Sequence, residues 1–312
     1  MPATESAPRV CIVGSVNVDT FVSTPTLPKP GETVLGSAQV HTPGGKGANQ
    51  AVAAAMMGAK TWFVGAVGND DSGRVVESMF QSHGVDAHRV ARLLAPTGAA
   101  IVCVAATGEN SIIVIPGANM DFGAEHVRSA SAEIRSADVV VLQAEISLEA
   151  NRAAVDVAAA CGTPVMMNLA PSPADVEAVI SLVSGCEVLI VNEVEEAALF
   201  AKGARPHALG PELIVTTLGA QGVRWWHKGS EGALPAIDPG VPIIDTVGAG
   251  DAFVGAFAAR WAAARVSGTP LDETVLRDLM RWGMAAGALA CTKRGAITSL
   301  PNRSEVVGLL KR

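Results

Sequence analysis

The chain has 312 residues, of which 49% are hydrophobic and 17% charged, so it can bury a sizeable core and is not largely disordered. Its formal net charge of −7 argues against nucleic acid and anionic membranes as partners, because their phosphates would repel it. With no Tyr and only 4% aromatic residues, a base-stacking platform is also disfavoured. An anionic small substrate stays possible, since local backbone dipoles bind phosphate whatever the net charge.

The cysteines and the N-terminus indicate a cytoplasmic protein. Five cysteines stand singly in apolar surroundings without a CxxC spacing, which predicts buried free thiols in a reducing compartment. The first nine residues, MPATESAPR, contain no apolar run typical of a secretory signal. Other apolar runs are interrupted before they could span a bilayer, as at Lys60 and Arg260. We therefore expect a cytoplasmic protein without membrane segments.

Short β-branched runs alternate with Ala-rich stretches along the chain. Buried strands are predicted at 10–13, 61–67, 139–142, 164–168, 188–191 and 213–216. Helices are predicted at 48–57, 73–83, 148–160, 193–202, about 250–265 and 272–290. Apolar strands separated by helices indicate an α/β fold with a doubly wound, mainly parallel sheet and helices on both faces. Because no compositional linker divides the chain, we expect a single domain over residues 1–312.

Two segments break this alternation. Residues 15–42 contain two extended stretches around a Pro-rich turn, and residues 97–118 predict a hairpin with strands at 99–105 and 111–115. Four antiparallel strands that interrupt a parallel sheet favour a small β-lid over a site. A surface hairpin without function is an equally ordinary outcome of this pattern, so both interpretations stay open.

The most informative segment is 245–253, DTVGAGDAF, in which two glycines precede an Ala-rich helix. Small residues let the backbone approach a ligand closely, and the first N–H groups of a helix lack intrahelical partners. Such a helix terminus stabilises phosphate oxygens and the charge of a transferring phosphoryl group. Asp251 at this position could accept the proton of an attacking hydroxyl, or it could merely cap the helix.

Two further segments are candidates for binding hydroxyl groups. The loop 43–50, PGGKGANQ, lacks the spacing of a Walker A motif, but its glycines suit close approach to a polyhydroxyl ligand or a phosphate. Asn49 in this loop can hydrogen-bond at both ends of its amide. Asn17 and Asp19 follow the first strand and alternate with apolar residues, so both would point the same way and could bind vicinal hydroxyls. Taken singly, a plain turn and a solvated loop are the ordinary alternatives.

Later strand ends are candidates for the nucleotide side of a site. The segment 192–196, NEVEE, lies where a strand meets the next helix, and a carboxylate there could organise hydrated magnesium beside ATP or simply favour the helix dipole. The TLG stretch at 217–219 follows another strand and could line a nucleotide. The six histidines show no metal-ligand spacing, and no GxSxG motif supports covalent catalysis.

Taken together and in order, these segments closely resemble the ribokinase branch of the PfkB-type carbohydrate kinase family, from about Val10 to Pro301. GGKGANQ at 44–50 and DTVGAGD at 245–251 are the strongest matches, and GSVNVD, PGAN, NEVE and TLG support them. The resemblance implies a lid, formed by about 15–42 and 97–118, that closes over the sugar and often forms a homodimer contact. It implies ATP-dependent phosphorylation of a small sugar, with D-ribose as the expected substrate.

The resemblance also implies roles for individual residues. Asp251 would be the catalytic base, with the backbone of Gly248, Ala249 and Gly250 as the anion hole. The sugar would be surrounded by Asn17, Asp19, Gly45, Lys46, Asn49, Glu145 and Asp251 itself. The nucleotide would be bound by Asn192, Glu195, Thr217, Gly219 and Gly222, with Glu195 serving Mg²⁺ through water. A monovalent cation, K⁺, would be bound by Asp245, Val247, Gly295 and Ser299. No contact specific for adenine is assigned.

Other functions are weighed against this expectation. The same reaction on another sugar or on a nucleoside is the first alternative, although the GGKGANQ loop combined with the NxD pair resembles the ribokinase branch. A sugar-binding protein that has lost catalysis would show a substituted base or a broken glycine in the anion hole, and neither is seen. A dinucleotide-dependent oxidoreductase is disfavoured because no GxGxxG follows the first strand.

Overall fold

The computed structural model describes residues 7–172, 175–201 and 208–312, and within these ranges the strands form two sheets. The strands are β1 Arg9–Val13, β2 Asn17–Thr24, β3 Ala38–Gly44, β4 Lys60–Gly68, β5 Val85–Leu93, β6 Gly98–Ala105, β7 Asn110–Ile115, β8 Val139–Gln143, β9 Val165–Asn168, β10 Val188–Asn192, β11 Leu213–Thr217, β12 Val223–His227 and β13 Ser230–Leu234.

The helices separate the strands of the larger sheet. They are α1 Lys46–Met56, α2 Asp71–Ser82, α3 Ala118–Asp121, α4 Ala124–Ser129, α5 Ser131–Ser136, α6 Leu148–Cys161, α7 Val176–Val183, α8 Glu193–Phe200, α9 Ala249–Val266, α10 Glu273–Ala290 and α11 Arg303–Leu310. Single 3₁₀ turns lie at Gly219–Gln221 and Ile297–Ser299. The predicted helices are confirmed to within a few residues, except that residue 202, the predicted end of α8, lies outside the described residues.

The larger sheet has nine strands in the order β13-β12-β11-β10-β9-β8-β1-β4-β5. Every pairing from β11 to β5 is parallel, and β12 and β13 add an antiparallel edge. All six strands predicted from apolar runs lie in the parallel part. The predicted α/β class with a mainly parallel sheet is therefore confirmed.

The core lies on both faces of this sheet. In β1, Val10 and Ile12 pack on one face with α1, α2 and α9 to α11, whereas Cys11 and Val13 pack on the other face with α3 to α8. Helices cover both faces, so the central strands must be apolar at successive positions, as a buried parallel sheet requires. All five cysteines are free, as predicted, although only Cys11 and Cys186 are fully buried. In the described part of the chain, no helix combines the length and the apolar character needed to cross a bilayer.

The smaller sheet has four strands in the order β3-β2-β6-β7. The two predicted hairpins, β2–β3 and β6–β7, are antiparallel, but the central pair β2–β6 is parallel, so the expectation of four antiparallel strands is wrong at that pair. The reason lies in the connections. β2 continues from β1 and β6 continues from β5, and both β1 and β5 leave the same edge of the parallel sheet in the same direction.

Candidate active site

Glu145 ties together the loops after β1 and β8 and the start of α1. Its Oε2 accepts hydrogen bonds from Ser15 Oγ at 2.6 Å and from the backbone N–H of Lys46 at 2.9 Å. Ser15 also accepts a bond from the backbone N–H of Ala48 through its own carbonyl, at 2.9 Å. Since the carboxyl ends of β1 and β8 lie side by side in the sheet, the GGKGANQ loop is fixed above that edge.

Asp251 lies in the first turn of α9, but it does not cap the helix. The N-cap of α9 is Gly248, which has a φ of +79° and gives no side-chain cap. Instead the Asp251 carboxylate turns toward α1 and accepts hydrogen bonds from Asn49 Nδ2 at 2.8 Å and from Gln50 Nε2 at 2.9 Å. The alternative that Asp251 serves as a helix cap is therefore wrong.

The charge of Lys46 lies close to that of Asp251. Burial raises the pKa of Asp251 above its ordinary value, while the Lys46 ammonium and the two amide donors oppose that rise. Burial by itself would lower the pKa of Lys46, but the charges of Asp251, Glu145 and Glu195 outweigh it, so the pKa is raised. The Lys46 ammonium thus lies within electrostatic range of three carboxylates, and two of them, Asp251 and Glu145, are assigned with it to the sugar.

Asn17 and Asp19 lie on the same face of β2, because residues two apart on a strand point the same way. The Oδ1 atom of Asp19 is buried and has no hydrogen-bond partner, and the same is true of Asn49 Oδ1. Burial, and next the charge of Glu145, raises the pKa of Asp19 to about 6. A Cβ on Gly44 would come within 2.3 Å of Asp19 Oδ2, so only glycine leaves room for this carboxylate.

Gly45 is required for the contact between the GGKGANQ loop and β2. It has a φ of +89°, and a Cβ there would lie 2.8 Å from the Cα of Val16 and 2.9 Å from the backbone nitrogen of Asn17. A side chain would therefore push the loop away from the start of β2.

The start of α9 leaves space for a ligand in front of its backbone. A Cβ on Gly248 would lie 2.9 Å from the Cα of Ala296, whereas a Cβ on Gly250 would have no heavy atom within 4 Å. The N–H groups of this first turn are the ones that helix geometry leaves without intrahelical partners. Gly250 thus borders open space beside Asp251, where an anion could approach those N–H groups.

Asp245 joins the loop before α9 to the loop after α10. Its Oδ1 accepts a hydrogen bond from the backbone N–H of Val247 at 3.1 Å, and its Oδ2 accepts one from Gly295 at 3.0 Å. The buried Ser299 hydroxyl donates to the carbonyl of Ala296 at 2.8 Å. The four residues assigned to a monovalent cation thus belong to two loops that are already tied together.

The residues assigned to the nucleotide lie at the carboxyl ends of β10 and β11. Asn192 and Thr217 are direct partners in the parallel register of these strands. Asn192 and Glu195 form a capping box at the start of α8, in which Glu195 Oε2 accepts from the N–H of Asn192 at 2.8 Å. One carboxylate oxygen of Glu195 therefore serves the helix. A Cβ on Gly222 would lie 2.1 Å from the carbonyl oxygen of Leu234. Glycine is therefore needed where the start of β12 lies beside the end of β13.

Comparison with known proteins decides the family. A sequence profile of the pfkB family carbohydrate kinases matches residues 7–303. The chain belongs to this kinase family.

Several relatives of this kinase share its full length. It is 34% identical over 309 residues to ribokinase of Haemophilus influenzae, covering 96% of this chain and 97% of that protein. It is also 34% identical over 307 residues to ribokinase of Bacillus subtilis, covering 97% of this chain and 99% of that one. A solved structure of Arabidopsis thaliana ribokinase complexed with ribose and ATP has a TM-score of 0.86 and 31% identity, covering 98% of this kinase and 100% of that chain.

Two buried polar residues of this kinase site had no role predicted from the sequence. Asn119 accepts from the N–H of Val16 at 3.0 Å through Oδ1, and its Nδ2 donates to the Val16 carbonyl at 3.0 Å and to Asn17 Oδ1 at 2.9 Å. It therefore fixes the start of β2 and the side chain of Asn17. Gln50 is the second such residue, through its bond to Asp251. Asn119 belongs to the PGAN motif and Gln50 to the GGKGANQ motif, and this position was the feature of the sequence that could have identified them.

Proposed function

We propose that this carbohydrate kinase is a ribokinase, which transfers the γ-phosphoryl group of ATP to D-ribose and releases ADP and D-ribose 5-phosphate. The observation that carries the proposal is a pair of unpartnered buried acceptors, Asp19 Oδ1 and Asn49 Oδ1, of which Asn49 also donates a hydrogen bond to the buried carboxylate of Asp251. Full-length relatives that are named ribokinase support the choice of ribose among sugars.

The sugar is bound between the lid and the large sheet. Hydroxyl groups donate to Asp19 and Asn49, whose free oxygens would otherwise stay buried without a partner at a cost of about 1–3 kcal/mol each. Asn17, Gly45, Lys46 and Glu145 complete the walls of the sugar site. A deoxy sugar leaves an acceptor unpaired, and this loss is the physical basis of selectivity.

Asp251 acts as the general base. In its ionised form it accepts the proton of the hydroxyl that attacks the γ-phosphorus, and its hydrogen bond from Asn49, a residue of the proposed sugar site, supports this role. The backbone N–H groups of Gly248, Ala249 and Gly250 stabilise the charge that develops on the transferring phosphoryl oxygens, and Lys46 adds a positive charge. The reaction therefore requires positioning, one base and charge stabilisation, without a covalent intermediate on the protein.

ATP is bound along the ends of β10 and β11, with Asn192 on the phosphates and Thr217, Gly219 and Gly222 along the nucleotide. Mg²⁺ bound to ATP neutralises charge on the phosphates. Glu195 fits a role through water, because its Oε2 is used by the start of α8 and only its other oxygen remains available.

K⁺ binding by Asp245, Val247, Gly295 and Ser299 is part of the proposal. The carboxylate and the carbonyl oxygens of these two loops form a set of hard donors suited to such an ion. An ion there would rigidify the loop that carries the anion-hole amides without touching substrate. We therefore expect K⁺ to raise kcat, with little effect on KM, relative to a large organic cation. Equal rates in the two salts after desalting would contradict the K⁺ site.

The architecture is part of the same proposal. We expect one domain over residues 1–312, with a lid from about 15–42 and 97–118, in a cytoplasmic homodimer joined through the lid. Every residue of the lid strand β7 is exposed, and four of its six side chains are large and apolar. An exposed apolar edge strand of this kind favours association.

The function is tested by measuring ADP release across ribose, 2-deoxyribose, fructose, common sugar acids and nucleosides. We expect ribose to give the highest kcat/KM, and 2-deoxyribose to be worse by at least about tenfold, or about 1.4 kcal/mol. Asp19→Ala should lower kcat/KM for ribose. It should also reduce the difference in kcat/KM between ribose and 2-deoxyribose, because the carboxylate that distinguishes the two sugars is gone. A nucleoside or a hexose that outperforms ribose would overturn the ribokinase proposal while leaving the kinase family intact.

A further inference from the structure

Gln50 donates to the oxygen of the Asp251 carboxylate that Asn49 does not contact. It is fully buried in α1, and its Nε2 donates to Asp251 Oδ1 at 2.9 Å and to Asn168 Oδ1 at 2.9 Å. Its Oε1 accepts a hydrogen bond from Gln143 Nε2 at 2.8 Å. Both amide donors of Gln50 are thus used, and the bond from Gln143 occupies its carbonyl oxygen.

This network fixes the orientation of the Gln50 amide. The side-chain nitrogen of Gln50 faces two acceptors, the Asp251 carboxylate and the side-chain oxygen of Asn168. Its side-chain oxygen faces a donor, the side-chain nitrogen of Gln143. A rotated amide would direct its oxygen at a carboxylate in a buried site, where an unpaired polar group is costly. Asn168 is in turn anchored by its bond to the carbonyl of Ile190, at 3.3 Å. The base on α9 is therefore connected through Gln50 to β9 and β10.

We propose that Gln50 is a positioning residue that holds Asp251 in its ionised form and in its reactive orientation. Gln50 is fully buried, and its side-chain nitrogen and oxygen are bonded to Asp251, Asn168 and Gln143, so it acts through Asp251 and not by touching substrate. Asn49, by contrast, holds the other carboxylate oxygen and keeps its own Oδ1 free toward the sugar. The kinetic consequence of this role rests on the proposed phosphoryl transfer.

Removal of the Gln50 amide should raise the pKa of Asp251. Burial already raises the pKa of Asp251, and the hydrogen bond from Gln50 is one of the groups that hold it down. A hydrogen bond to the charged form favours that form, so its loss raises the pKa further. Asp251 accepts a proton only when ionised, and the acid limb of the pH–rate profile should therefore move to higher pH.

The test compares Gln50→Met, Gln50→Glu and Gln143→Met with the wild type. Gln50→Met should lower kcat by about tenfold or more, leave the KM for ribose within about threefold, and raise the acid limb by about one pH unit. Gln50→Glu should move the acid limb to still higher pH, because two adjacent buried carboxylates cannot both ionise readily. Gln143→Met removes an amide from the same network without a contact to Asp251, and its acid limb should match that of the wild type.

An acid limb that is unchanged in both Gln50 variants would overturn the proposal, as would an equal shift in Gln143→Met. A second readout does not depend on turnover. Unfolding equilibria of Gln50→Met, Asp251→Asn and the double variant form a mutant cycle, in which we expect a coupling of at least about tenfold in the unfolding constant. Additive effects would contradict the pairing of Gln50 with Asp251. If no sugar is phosphorylated but the coupling is present, the proposed function has failed while the positioning contact stands.

Discussion

If Asp19 contacts the sugar as proposed, its raised pKa should make sugar binding depend on pH. Burial and the charge of Glu145 raise its pKa to about 6, so the carboxylate becomes mostly ionised as the pH rises above that value. The ionised form is the stronger acceptor for hydroxyl groups. We therefore predict that the KM for ribose rises as the pH falls through about 6, and that Asp19→Asn flattens this dependence. Steady-state kinetics across this range measure both.

The raised pKa of Asp19 also predicts how the stability of the fold depends on pH. A raised carboxyl pKa favours the protonated form in the folded state, so this contribution is present below the unfolded pKa and is lost as the pH rises through about 6. Asp19→Asn should therefore unfold at higher denaturant than the wild type at pH 8, and the difference should shrink at low pH. A KM for ribose that is flat with pH would refute the assignment of Asp19 to the sugar.

At the level of single residues, sequence patterns predicted the groups that stand beside glycines or at strand ends. Asp251 and Glu145, which the sequence assigns to the sugar together with Lys46, both influence the pKa of that lysine. Gln50 was passed over, since a glutamine in an Ala-rich helix has no pattern that separates a buried position from an exposed one. Its role depends on Asp251, which lies 201 residues away in the chain. Only the packing of α1 against α9 places the two together.

Among the structural elements, the start of α9 offers a matched pair of substitutions. Gly248→Ala would force a Cβ to within 2.9 Å of Ala296 and into a left-handed conformation, which should cost at least about 1–2 kcal/mol of stability. Gly250→Ala has free space and lies in a helix, so stability should be unchanged or higher by up to about 1 kcal/mol.

Activity should respond differently from stability. The Cβ of Gly250→Ala would project into the space proposed for the transferring phosphoryl group, and we predict a fall in kcat of at least about tenfold. Urea unfolding and ADP release measured on the same preparations separate the two effects. Full activity in Gly250→Ala would place the phosphoryl group elsewhere.

Prediction of whole elements succeeded where burial is uniform. The apolar runs of β1, β8, β9, β10 and β11 identify central strands directly. The edge strands of the larger sheet, β5 and β13, were missed because they mix polar and partly exposed residues and resemble loops, and β12 was missed as well. The short helices α3, α4 and α5 have four to six residues, which is too few to show a helical period. The parallel pair β2–β6 depends on how two distant connections leave the large sheet, and local sequence does not specify that.

The whole molecule is expected to be a dimer through the lid. Ile113 on β7 is 60% exposed, and we predict that Ile113→Asp yields a monomer by placing a charge in an apolar contact. Sedimentation velocity over a range of concentrations measures the assembly. Val266→Asp, at the opposite end of α9 from the active site, is a matched control and should remain dimeric. A wild-type protein that sediments as a monomer at all concentrations would contradict the dimer.

We propose that the Asp251 carboxylate, held by α1 and α9, is the base for phosphoryl transfer from ATP to ribose. Its most direct test is a single comparison of turnover and ribose affinity between the wild type and Asp251→Asn. We predict that Asp251→Asn lowers kcat by about 10²–10⁴-fold while ribose binding, measured by calorimetry, stays within a few-fold, because the amide keeps the shape of the side chain but cannot accept the proton. Turnover within a few-fold of the wild type would contradict the assignment of Asp251 as the base.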